Sequence, residues 1–169
     1  MLALTTERLL IRELNIVDAA FIFRLMNAPN WIRFIGDRNV KTVADASNYI
    51  SSKMIRSYRI NGFGLYLVTL KNTRESMGIC GLVKRDGLDH PDLGFALLPQ
   101  YEGMGYASEA AAAVLEHARD TLHLKQVEGI TTKNNMASVS VLEKAGMKYV
   151  ENIKLPGDEA DFMLFRCSL

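Results

Sequence analysis

Cysteine and histidine are scarce in this 169-residue chain, which has two cysteines and three histidines. Zinc sites need three or four such ligands at short spacings, and no such spacing occurs, so we expect no metal site. Cys80 and Cys167 lie far apart in apolar, strand-like stretches. That setting favours buried thiols in a reducing compartment over a disulfide, so we expect a cytoplasmic protein.

An excess of one charge sign is also absent, since 20 Lys and Arg residues stand against 19 Asp and Glu residues. This balance gives no electrostatic reason to expect a nucleic-acid or anionic membrane partner. No apolar run approaches the roughly 20 residues of a membrane-spanning helix. Glu7 and Arg8 interrupt the segment where a signal peptide would have its apolar core, so we expect no export.

The apolar and charged residues that are present, 49% and 23% of the chain, are typical of a globular protein, and the length suits one domain over residues 1–169. Apolar periodicity predicts strands at residues 7–14, 64–70, 77–84, 92–98, 126–132, 148–153 and 161–167. It predicts helices that begin at Asn15 and Thr42 and helices over residues 106–122 and 137–145. The order predicts an α+β (mixed α/β) domain with a mixed, mostly antiparallel sheet flanked by helices.

A turn between the predicted strand 92–98 and the predicted helix 106–122 contains Gly103 and Gly105. Two glycines spaced by one residue let the backbone approach a ligand, and the following helix adds unpaired N–H groups, which together favour a phosphate site. The same pattern also fits an ordinary strand-to-helix turn. It is neither a P-loop, which needs Gly-Lys-Ser/Thr, nor a dinucleotide fingerprint, whose third glycine would fall at Ser108.

Three motifs follow one another along the chain: TERLLIR at residues 6–12, QYEGMGYASEA at residues 100–110 and NMASVSVLEKAGM at residues 135–147. The second resembles the acetyl-CoA motif of the GNAT N-acetyltransferases, and the third resembles the second motif of that family. The first is similar to the Rim-type branch, which acetylates the N-termini of ribosomal proteins. The resemblance covers residues 5–168 and implies a GNAT-like fold.

The resemblance implies acetyl-CoA as cosubstrate and no metal. The strand before the turn would pair its backbone with the pantetheine arm, and the turn N–H groups would bind the pyrophosphate. The implied residues are Leu97 and Leu98 for the arm, and Gly103, Met104, Gly105, Tyr106 and Ala107 for the pyrophosphate. Asn135 matches an asparagine that holds the arm in the family, and it also suits a helix cap; both roles can hold together.

The reaction is assisted by a base that takes a proton from the amine. An acid can protonate the leaving thiolate, although the thiolate can also leave without one. Asp92 stands where relatives often carry Glu and is the candidate base; a solvated strand-end carboxylate is the alternative. Glu109 and His90 are weaker candidates, since Glu109 suits the helix dipole and His90 precedes a proline. Many relatives place an acidic Tyr where this chain has Leu142.

Ser138 matches the Rim-type pattern and is therefore the candidate acid; the alternative is a first-turn serine that bonds to the helix cap. Glu102 replaces a Trp that is common in relatives, so its carboxylate must point away from the pyrophosphate. Trp31, Arg33 and Phe34 lie between the first two helices, where the family has one wall of the acceptor site, although core packing is the alternative for these aromatics.

The expected function is therefore N-acetyl transfer from acetyl-CoA to a primary amine, by direct attack in a ternary complex. The amine is a protein N-terminus or a small molecule, and the sequence does not choose between them. The alternative is a non-catalytic acyl-CoA-binding sensor. We expect a monomer or homodimer without nucleic-acid or membrane partners.

Overall fold

Eight strands form one sheet in the computed structural model, which describes residues 3–169. The strands are β1 (Ala3–Thr5), β2 (Leu9–Glu13), β3 (Leu65–Leu70), β4 (Ser76–Val83), β5 (Asp92–Leu97), β6 (Gln126–Thr131), β7 (Lys148–Ile153) and β8 (Phe162–Ser168). Their order in space is β1-β2-β3-β4-β5-β6-β8-β7. Every neighbouring pair is antiparallel except β5 and β6, which confirms the mixed, mostly antiparallel sheet.

The α-helices of the described chain are α1 (Ala19–Met26), α2 (Pro29–Phe34), α3 (Val43–Tyr49), α4 (Arg56–Asn61), α5 (Tyr106–Asp120) and α6 (Met136–Lys144), and two short 3₁₀ helices lie at Ile16–Asp18 and Pro99–Tyr101. The helix predicted from Thr42 is real, but a π-helical segment, Ile50–Ile55, divides it into α3 and α4. No helix within residues 3–169 is both long enough and apolar enough to cross a membrane.

The predicted caps are present at Asn15 and Thr42; Asn15 caps a 3₁₀ turn, Ile16–Asp18, that leads directly into α1, and Thr42 caps α3. The side chain of Asn15 accepts a hydrogen bond from Val17 N–H at 2.9 Å, and Asp18 accepts one from Asn15 N–H at 2.9 Å. Thr42 and Asp45 form the predicted reciprocal pair, at 3.0 and 2.9 Å. Each cap satisfies N–H groups that a helix start leaves without partners, so these local signals place the helices correctly.

Two elements differ from the sequence prediction. Residues 31–34, predicted as a loop, belong to α2, which starts at Pro29 and has no side-chain cap. The short helix is held instead by Trp31, which is 5% exposed and packs into the core. β1 was not predicted, because three residues are too few to show alternation; it forms by pairing with β2 at the sheet edge.

The sheet opens between β5 and β6. These parallel strands are paired at Asp92 and Glu128, and their carboxyl ends then diverge. α5 packs its buried stripe of Ala111, Val114 and Ala118 against the sheet near β4 and β5. The split therefore leaves the end of β5, the following turn and the start of α6 facing one space.

Candidate active site

A cavity of about 460 Å³ occupies the split between β5 and β6. The predicted site residues on its lining are Trp31, Phe34, Asp92, Leu97, Asn135 and Ser138. They come from α2, β5 and the start of α6, so the fold brings both predicted catalytic residues and both predicted acceptor residues together. His90 and Glu109 are not on the lining. A shallower depression between α1 and the turn shares Leu98 with the predicted set and none of its catalytic residues.

The turn has the backbone geometry that a phosphate site requires. Gly103 and Gly105 have φ values of 73° and 81°, in the left-handed region that favours glycine. Gly105 is the N-cap of α5 and has no side chain to satisfy the first N–H groups of that helix. These N–H groups and the positive helix end are therefore available to an anion.

Arg8, which the sequence analysis did not select, braces the turn. Its Nη1 donates to the carbonyl of Met104 at 3.0 Å, and its guanidinium lies 4.4 Å from the ring centroid of Tyr106. Its Nε donates to Glu109 at 2.6 Å, and Glu109 also accepts from the Thr6 hydroxyl at 2.5 Å. These contacts support the structural interpretation of Glu109, because its carboxylate joins the β1–β2 connection to α5.

The backbone at the end of β5 separates Leu97 from Leu98. Leu98 donates its N–H to Met77 at 2.8 Å, and its carbonyl accepts from Tyr101 N–H at 3.0 Å. The Leu97 carbonyl faces the other way and accepts from the Asn30 amide at 2.9 Å. Leu97 therefore lines the split, whereas the backbone N–H and carbonyl of Leu98 both hydrogen bond within the chain.

The Asn30 amide that donates to the Leu97 carbonyl also donates to Glu102. Glu102 Oε1 lies 2.5 Å from Asn30 Nδ2, so the carboxylate bonds to α2. This bond turns the Glu102 carboxylate toward α2, as expected for a carboxylate that must point away from the pyrophosphate. Asn30 was missed because nothing near it in the chain marks it; its partner Leu97 is 67 positions away.

Asp92 is buried, which rules out the solvated strand-end carboxylate that the sequence allowed. Its side chain is 2% exposed and forms an ion pair with Arg85 at 3.0 Å. Its Oδ1 has no hydrogen-bond partner within residues 3–169. Burial raises the pKa of Asp92 to about 6, against the opposing effect of the Arg85 charge. A carboxyl with a pKa near neutrality is suited to accept and return protons.

A second buried carboxylate, Glu128, lies beside Asp92 on β6 and was also missed. It is 1% exposed and accepts from Arg166 Nη2 at 2.6 Å and from His90 N–H at 3.1 Å. Its charge contributes to the raised pKa of Asp92. Because Glu128 is fully bonded and Asp92 is not, Asp92 is the carboxylate with capacity for a further partner.

Asn135 and Ser138 open α6 beside the cavity. Asn135 Oδ1 accepts from the backbone N–H of Ser138 at 3.2 Å, so Asn135 is a helix cap. Neither the Asn135 amide nitrogen nor the Ser138 hydroxyl hydrogen bonds to another group of residues 3–169, so both can contact a ligand. Leu142, where relatives have Tyr, is 1% exposed in the core and offers no acid.

On the opposite wall, α2 presents Trp31 and Phe34. Trp31 is both a core residue and a lining residue, so the two interpretations of it hold together. Its Nε1 is buried without a hydrogen-bond partner in the described chain. Arg33 lies over the Phe34 ring, 4.7 Å from its centroid, and is not on the lining.

Comparison with known proteins places the chain in a family. A family model described as an acetyltransferase (GNAT) domain matches residues 8–148. The chain is 28% identical over 145 residues to YnaD, an uncharacterized N-acetyltransferase of Bacillus subtilis, covering 86% of this chain and 82% of that protein. It superposes on an acetyltransferase from Agrobacterium tumefaciens with a TM-score of 0.83 at 25% identity, covering 99% of this chain and 94% of that one.

The fold also matches RimL, the ribosomal L7/L12 alpha-N-protein acetyltransferase, in complex with coenzyme A, with a TM-score of 0.84 at 15% identity over 99% and 98% of the two chains. That likeness shows the fold alone. The chain belongs to the GNAT acetyltransferase family. It is an acetyl-CoA-dependent N-acetyltransferase that acts on amines, which confirms the enzyme prediction.

The residues present fit acetyl-CoA. Leu97 and Asn135 both line the cavity, the Asn135 amide nitrogen has no partner within residues 3–169, and the turn supplies uncapped N–H groups after Gly105. No cluster of potential metal ligands exists among residues 3–169.

Proposed function

We propose that the chain transfers the acetyl group directly from acetyl-CoA to a protein N-terminal amine or a small-molecule amine, both substrates being bound at once in the β5–β6 cavity. The observation that carries this proposal is the convergence of Asp92, Leu97, Asn135 and Ser138 on one lining. The cavity size lies within the range of small-molecule sites.

For the cofactor half, we assign the pantetheine arm to Leu97 and Asn135, and the pyrophosphate to the backbone N–H groups from Gly103 to Ala107. Binding would require Asn30 to share or release the Leu97 carbonyl, because its amide occupies that acceptor at 2.9 Å. Met104 and Tyr106 contribute through their backbones; the side chain of Met104 is 54% exposed.

For the chemical half, we assign Asp92 as the general base and Ser138 as the acid, each acting directly or through a water. An α-amine has a pKa of about 8 and is mostly protonated at neutral pH, so it must lose a proton before its lone pair attacks the thioester carbonyl. As the new C–N bond forms, the C–S bond breaks; the nitrogen gives up a second proton to solvent, and the departing thiolate takes a proton from solvent or from Ser138, whose hydroxyl regains one from water. Trp31 and Phe34 would contact the acceptor.

Two further proposals concern the cellular compartment and the oligomeric state of the protein. Cys80 and Cys167 are free thiols, which supports a reducing compartment and hence the cytoplasm. β7 is the last strand of the sheet and leaves one edge unpaired within residues 3–169, which supports a homodimer formed through that edge. Sedimentation equilibrium measures that state directly.

The test of the proposed function is a free-thiol assay with acetyl-CoA across a panel of amines and N-terminal peptides, read beside thermal shift. Acetyl-CoA at 100 times its Kd stabilises the protein by about 2.7 kcal/mol. We expect this shift with acetyl-CoA and CoA, and thiol release that depends on an amine. Thermal shift with ATP but not with CoA would contradict the assignment of the turn.

A further inference from the structure

The α2–α3 side of the cavity carries two basic side chains that have no acidic partner. Arg38 lies between α2 and α3, and Lys53 lies in the π-helical segment; both are exposed and both line the cavity. None of the ion pairs within residues 3–169 includes either residue. The neighbouring carboxylate of Asp37 is paired with Lys41 at 2.7 Å.

None of the three carboxylates on the lining is ion-paired with Arg38 or Lys53. Asp92 is paired with Arg85, and Glu102 is bonded to Asn30 at the cofactor end. The remaining one, Asp158, lies in the β7–β8 connection, on the strand side of the cavity. The α2–α3 side of the cavity therefore carries two basic side chains outside any ion pair of residues 3–169, whereas the lining carboxylates come from β5, the turn after it and the β7–β8 connection.

From this asymmetry we infer that the acceptor is an amine that also carries an anionic group, a carboxylate or a phosphate, and that Arg38 and Lys53 bind this group. The inference rests on the proposed function and names its substrate class. Arginine and lysine together match carboxylate and phosphate oxygens, and the arginine fork does so bidentately. The amine end then extends to the strand side, where Asp92 lies.

The same charges act against polycationic acceptors. Two positive side chains close to a second ammonium group cost interaction energy, whereas a neutral acceptor gains nothing from them. A polyamine or a polycationic antibiotic is therefore a poor acceptor. The anionic amine has two sources: a free amino acid or similar small acid, and a peptide N-terminus followed by an acidic residue.

Matched acceptors test the inference. The small set is β-alanine, β-alaninamide and 1,3-diaminopropane, which differ in the charge of one end. The peptide set is Ala-Glu-Gly, Ala-Gln-Gly and Ala-Lys-Gly as C-terminal amides. Within the set that the enzyme uses, we expect kcat/KM to fall at least about tenfold from the anionic to the neutral member and further to the cationic one. The set with turnover identifies the source.

Arg38→Gln and Lys53→Gln should each raise KM for the anionic acceptor several-fold with little change in kcat, and the double variant should abolish the preference. Arg56→Gln is the matched control, since Arg56 is an exposed arginine that lies outside the lining and forms no ion pair with residues 3–169. Added salt should reduce the preference of the wild type, because these contacts are exposed to solvent.

The outcomes distinguish a failure of the inferred substrate class from a failure of the proposed transfer reaction. Equal or better turnover of neutral and cationic acceptors, with both Gln variants unchanged, overturns the substrate class and leaves the transfer reaction intact. Loss of turnover with every acceptor while acetyl-CoA still binds overturns the proposed transfer itself. A preference that survives in the double variant overturns the roles of Arg38 and Lys53.

Discussion

Asp92→Asn gives the sharpest test of the catalytic half, because the structure predicts opposite effects on activity and stability. Asp92 is the base in the proposed reaction, so kcat/KM of the wild type should rise through pH 6 as the carboxyl ionises. The Asn variant should lose that limb and about 10²-fold or more of its activity. A variant that keeps the limb near pH 6 would contradict the assignment.

The stability effect follows from the raised pKa of Asp92. Native Asp92 holds its proton more tightly than the unfolded chain does, so its ionisation destabilises the native state as pH rises from about 4 to about 6. The difference between a pKa of about 6 and the ordinary 3.8 corresponds to about 3 kcal/mol. Asn cannot ionise, and Arg85, which is 33% exposed, is solvated when left alone.

Urea unfolding of both proteins at pH 4 and pH 7 measures this term. The unfolding free energy of the wild type minus that of Asp92→Asn should fall by about 2 kcal/mol from pH 4 to pH 7, most of the full difference, because the unfolded carboxyl is already partly ionised at pH 4. Asp86→Asn is the control, because Asp86 is an exposed carboxylate in the same β4–β5 connection. A difference that stays constant or rises with pH would show that burial does not raise the pKa of Asp92.

Three further variants or reagents test other parts of the site. Gly105→Glu should abolish CoA binding in calorimetry, because the φ of Gly105 is +81° and a Cβ at this position would lie 3.3 Å from Arg8 Nη2. Gly103→Asn should fold normally, because Asn tolerates a φ of +73° and a Cβ at Gly103 would have no atom within 4 Å. Ser138→Ala should lower kcat about 10²-fold with acetyl-CoA affinity unchanged in calorimetry, and an unchanged kcat would assign the proton to solvent. Cys80, buried with its pKa raised to about 12 by burial, should resist thiol reagents until the protein is denatured, and rapid labelling would contradict the packing of β4.

Local signals in the sequence account for most of the fold. The caps at Asn15 and Thr42 act within three residues, and apolar alternation depends on neighbours two positions apart, so both are visible in the sequence. The glycine turn was also visible, because a left-handed backbone at Gly103 and Gly105 restricts the residue type. α2 was missed because its stability comes from burying Trp31 rather than from a cap.

The parts of the site that the sequence did not show depend on contacts between distant positions. Arg8 reaches Met104 across 96 positions, and Glu128 reaches Arg166 across 38. Charged residues at such distances leave no periodic pattern, so neither the brace on the turn nor the burial of the Asp92 carboxyl beside Glu128 could be predicted. The contacts of Glu128 occupy its carboxylate, whereas Asp92 Oδ1 has no hydrogen-bond partner within residues 3–169.

The central claim is direct transfer, and the stoichiometry of one reaction tests it. Purified protein, acetyl-CoA and a matched acceptor are sampled together for free thiol and, by mass spectrometry, for N-acetylated amine. We predict one acetylated amine for each thiol released from the first turnover onward, with no acetylated protein accumulating. Thiol release without acetylated amine, or an acetylated side chain that forms before the product, would contradict direct transfer.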